Sequence, residues 1–162
     1  MVSDCAKWNI KWHIDRYASP LAYKDGDKYN ESDFEGNLLL NEGINLIWAL
    51  VIGAGGTVYN EANTRIGVGD SAAAVLASQG GLQGANKTYM PMETDYPVSP
   101  PVDQKVEFKS VFGAGDHNYV WAEFTVVNAA TDAGTNLNRK VSVQGTKYSG
   151  QVWTVMVTIT LS

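Results

Sequence analysis

Hydrophobic and polar residues alternate along much of this chain. Trp8, Ile10, Trp12 and Ile14 are interleaved with Lys7, Asn9, Lys11, His13 and Asp15, and a period of two over that length predicts a strand with one apolar face. The pattern returns three times. In Lys105 to Phe112, Val106, Phe108, Ser110 and Phe112 point one way and Glu107 and Lys109 the other. In Asn118 to Asn128, Val120, Ala122, Phe124 and Val126 oppose Tyr119, Trp121, Glu123 and Thr125. In Gln151 to Leu161, Trp153, Val155, Val157, Ile159 and Leu161 face inward, with Thr154, Thr158 and Thr160 outward. Shorter extended runs are predicted at Thr64 to Gly69, Lys87 to Thr94 and Asn138 to Gln144.

Only Asn37 to Gly53 has a strong helical period. Leu40, Ile44, Ile47, Trp48 and Val51 fall on one face, which predicts a helix packed on a core. Asn37 or Asn41 can cap its start and Gly53 can end it in a left-handed turn. A second, short helix over Ala72 to Ser78 is a weaker expectation. Ala18 to Gly36 is polar and acidic, and longer than ordinary connections. It divides the chain into residues 1–36, a strand on a polar tether able to act as a docking arm, and residues 37–162, one β-rich domain with a helix near 37–53. Tyr96 to Val102 holds Pro97, Pro100 and Pro101 and reads as a rigid loop. The expected fold is mainly β: an antiparallel β-sandwich with one packed α-helix and an N-terminal strand or arm.

Composition narrows the function. Formal net charge is −5, which argues against a partner made of nucleic-acid phosphates. The longest apolar run, Leu46 to Ile52, has seven residues, so no membrane-spanning helix is expected. No apolar signal core follows the first residues. One cysteine, Cys5, forms no internal disulfide and reads as incidental rather than nucleophilic.

Candidate chemistry is thin. His13 lies near Asp15 and His117 near Asp116, but no nucleophile, acid and base set accompanies either, so a surface ion pair is the simpler reading. Gly67 to Ala72 imitates a dinucleotide-binding glycine motif, but Ala73 to Lys87 is too small and glycine-broken to supply its crossover helix. Asp25, Asp27, Glu31, Asp33 and Glu35 form an acidic run without the ligand spacing of a calcium loop. No catalytic residue, cofactor or metal is therefore assigned. The aromatic residues carry more weight. Trp48 and Trp153 read as core. Trp8, Ile10, Trp12, Ile14 and Trp121 are the candidates for a face that meets another subunit, with the chain's own core as the alternative.

The order GNLLLNEGINLI, TRIGVGDS, LQGANKTYMPM, VEFKSVFGAGDHNYVWAEFTVVN, LNRKV and WTVMVTITLS resembles small virion proteins of tailed bacteriophages and the N-terminal modules of tail-collar fibres. The resemblance runs from about Trp8 to Ser162 and is most specific at Ile66 to Ser71, Trp121 to Asn128 and Leu137 to Val141. It carries over no catalytic residues. It implies a non-enzymatic structural protein, assembled in the host cytoplasm and carried in the virion. Its implied partners are other capsid, neck or tail proteins and copies of itself, a trimer being the expected form. The chain lacks the long shaft of a fibre, which leaves fibre base, neck accessory and capsid decoration all open. The competing class is a glycan-binding module for host adsorption that uses Tyr and Trp faces.

Overall fold

The computed structural model describes residues 7–162. Two antiparallel sheets face each other in a sandwich-like arrangement. The first has four strands in the order β2 (Lys28–Glu35), β1 (Trp8–Tyr17), β9 (Val152–Leu161), β6 (Lys105–Phe112). The second has five, in the order β3 (Leu38–Leu39), β8 (Asn138–Thr146), β7 (Val120–Val127), β4 (Arg65–Gly69), β5 (Lys87–Pro91). The helices are α1 (Pro20–Asp25) and α2 (Asn41–Val51). The mainly β, sandwich-like class expected from the alternation is present, with two helices in place of one.

Period-two alternation explains the core. Ile10, Trp12 and Ile14 of β1, Phe108 and Phe112 of β6, and Trp153, Val155, Val157 and Ile159 of β9 meet Ile66 and Val68 of β4 and Phe124 and Val126 of β7. Trp12 stacks parallel to Phe34 at 6.0 Å and tilts against Phe124 at 5.6 Å. Trp121 fits between Phe112 at 4.7 Å and Trp153 at 4.8 Å. Such aromatic pairs add to the stabilisation from area burial alone.

Residues 8–35 do not stand apart from the domain. β1 pairs along its whole length with β9, Trp8 opposite Leu161 through Tyr17 opposite Val152, and on its other side with β2. Its four apolar residues match the apolar face of β9, so the strand completes its own chain's sheet. The polar segment is no tether either. Ser19 caps α1 by accepting from the Ala22 amide at 3.1 Å, Pro20 opens the helix, and Gly26 closes it with φ +73°. β2 then runs antiparallel to β1 as an edge strand.

β7 is buried on both faces. Its outward side chain Glu123 takes the amides of Gln83 (2.9 Å) and Gly84 (2.6 Å) and the Arg139 Nε (2.7 Å). Arg139 in turn donates to the carbonyls of Ala73 and Ala74 and to Gln79 Oε1. The 71–86 segment is thus a non-helical cover held over the sheet by one buried ion pair, and the short helix expected at Ala72 to Ser78 is absent.

Candidate interaction surface

Four of the five residues singled out for an interface are interior. Ile10, Trp12, Ile14 and Trp121 are all buried, and only Trp8 is partly exposed. Trp12 and Ile14 are consumed by the sandwich core because β1 is a central strand. Trp121 fails the simple alternation for a different reason. The register of β7 with β8 breaks between Trp121 and Glu123, so Trp121 turns inward and its neighbour Val120 outward. The Trp121 indole N–H donates to the His117 carbonyl at 3.1 Å.

The histidines are accounted for by their own chain. His13 lies across from Asp33, and Asp15 across from Glu31, on the outer face of β1 and β2. His13 reaches Asp33 at 2.8 Å and Asp15 at 3.0 Å. Burial works against its charged form, but hydrogen bonds and negative charge from Asp33 and Asp15 outweigh burial and raise its pKa. Lys28 bridges Asp15 and Glu31. His13, Asp15 and Glu31 are close enough to share a cation, and the Lys28 ammonium sits between the two carboxylates. Lys11 and Glu35 extend the same ladder. Glu31, Asp33 and Glu35 are therefore one side of a cross-strand charge array, while Asp25 and Asp27 lie before β2. His117 is the reverse case. Its Nδ1 meets Thr88 Oγ1 at 3.1 Å, it lies against Trp121, and burial lowers its pKa. The His117 ring meets the Thr88 hydroxyl, but its Nε2 has no hydrogen-bond partner to orient it. Cys5 lies outside the described residues.

The concave surface offers little. A shallow depression of about 520 Å³ is lined by Asn60, Glu61, Ala62, Arg65, Pro91 and Met92. It has no convergent set of polar groups with an aromatic floor. Tyr59 beside it spends its hydroxyl on the Thr135 carbonyl at 3.0 Å.

The feature without an internal explanation is α2. Leu40 and Gly43 are buried and Ile47 packs on the core. Gly43 sits so close to β8 that a Cβ there would lie 2.5 Å from the Leu137 carbonyl oxygen. Glu42 accepts from the Asn136 amide at 2.7 Å. These contacts fix one side of the helix against the sandwich. The adjoining side, continued by the C-cap residue Ile52, is also apolar and faces solvent: Ile44 is 36% exposed, Trp48 61%, Val51 68% and Ile52 74%. Trp48, expected in the core, is thus the most exposed tryptophan of the chain. Gly53 ends the helix at φ +71° as expected, but neither Asn37 nor Asn41 caps its start. Asn41, Glu42 and Asn45 form its polar stripe, so the helix has an apolar arc wider than the part the sandwich covers, and an uncovered apolar stretch of this kind marks an interaction site.

The three segments most specific to the bacteriophage resemblance, Ile66 to Ser71, Trp121 to Asn128 and Leu137 to Val141, come together as the neighbouring strands β4, β7 and β8. None of the family models, curated proteins or solved structures compared with the chain matches it.

Proposed function

We propose that this chain is a non-enzymatic structural subunit of a tailed-bacteriophage virion, an accessory protein that docks on the capsid, neck or tail and associates with copies of itself. The observation that carries this reading is the uncovered outer face of α2, where Ile44, Trp48, Val51 and the C-cap Ile52 stand in solvent beside the residues that anchor the helix. Large exposed apolar patches mark interaction sites. The sequence resemblance supplies the kind of assembly. The titratable clusters support it indirectly, since His13, Asp15 and Lys28 satisfy one another and Glu123 and Arg139 hold a surface segment in place.

Mass spectrometry of gradient-purified phage particles is the test. The chain is expected at a fixed copy number that survives a high-salt wash, because an apolar contact is not screened by salt. Absence from washed particles, together with binding of the purified chain to host surface polysaccharide, would favour the glycan-binding class instead.

A further inference from the structure

The outer face of α2 has an internal symmetry that specifies its occupant. Ile44, Trp48 and Ile52 follow one another at intervals of four residues, so they form a single ridge along the helix. The ridge reads the same in both directions: isoleucine, tryptophan, isoleucine. Val51 fills the groove beside it. We infer that α2 binds α2 of a second copy of this chain, antiparallel about a two-fold axis at Trp48, with Ile44 of each copy set against Ile52 of the other. This inference rests on the assembly reading above and names its first partner.

Charge points the same way. No charged residue occurs between Glu42 and Glu61, and Glu42 is tied to the Asn136 amide. An isologous contact brings each residue near its own copy or its symmetry mate, so any charge on it is doubled. This face carries none, although the chain as a whole has a net charge of −5. Both edges of the four-stranded sheet resist pairing with a copy. The β2 edge presents Glu31, Asp33 and Glu35, and charged edge strands resist pairing with a copy. The β6 edge is covered by residues 92–98, through Glu93 N to the Lys109 carbonyl and Val98 N to the Glu107 carbonyl. The four side chains expose on the order of 500 Å² per chain, so complete burial of all four in both copies would reach roughly 1,000 Å², the lower bound for a specific interface.

Sedimentation equilibrium of the full chain tests the inference. The expected mass is about 35 kDa, twice the 17.6 kDa of one chain, falling toward the single-chain value on dilution. Trp48→Asp is expected to give a single chain at every concentration with an unchanged far-UV circular dichroism spectrum. Ile52→Asp, at the helix end, is expected to do the same, and decides the matter if Trp48→Asp fails to fold. Leu21→Asp, an exposed apolar position on α1, is expected to leave the pair intact. A wild-type chain of single mass at high micromolar concentration, a trimer, or a pair that survives both α2 variants would overturn the inference. A single chain still present in washed particles would sink the pairing and leave the virion reading standing. A pair absent from particles would do the reverse.

Discussion

The two histidines respond to pH in opposite senses. His13 has a raised pKa in the fold, so its contribution is fully present below its unfolded value of about 6.5 and is lost as pH rises through the folded value. His13→Gln is therefore expected to lower stability by a few tenths of a kcal/mol in urea melts at pH 6 and to match the wild type at pH 9. His117 has a lowered pKa, so its contribution is present above the unfolded value and is lost as pH falls through the folded one. Glu123 shows the larger stakes of a buried charge. Glu123→Gln leaves Arg139 without its carboxylate in a fully buried site, and chemical denaturation is expected to show a loss of about 3–5 kcal/mol. A change under 1 kcal/mol would show that the 71–86 cover does not depend on that pair. Gly43→Ala is expected to cost about 1–3 kcal/mol despite the better helix propensity of alanine, because the new Cβ meets the β8 backbone at the Leu137 carbonyl.

At the level of elements, strands with strict alternation were readable and elements that depend on tertiary register were not. β6 occupies the expected Lys105 to Phe112, and β1, β7 and β9 begin and end within two residues of expectation. The inward side of β7 was misjudged at Trp121 because a register break cannot be seen in one strand's own pattern. β2 was missed because KYNESDFE carries only Tyr29 and Phe34 as apolar residues. It forms because Phe34 stacks on Trp12 and its odd-numbered acids pair across to β1. The Ser19-Pro20 cap of α1 was a legible signal passed over. In α2 the period was legible and the extent of its burial was not, since the apolar arc is wider than the part the sandwich covers. The central place of β1 has a direct consequence. Deleting residues 1–17 is expected to abolish cooperative thermal unfolding, because β2 and β9 then lose their common neighbour. A truncated chain that still melts cooperatively would restore the docking-arm reading.

As a whole molecule, the protein is a sandwich-like body with charges paired across its strands and an exposed apolar stretch on α2. The central claim, that the outer face of α2 is covered in the working protein, is most directly tested by acrylamide quenching of tryptophan fluorescence in a Trp8→Phe variant. Trp12, Trp121 and Trp153 are buried in the core, so Trp48 alone remains open to quencher. The account predicts that Trp48 becomes protected, with a blue-shifted emission, as protein concentration rises from nanomolar to high micromolar. Quenching of Trp48 that stays equally strong across that range, and on addition of phage particles, would contradict it.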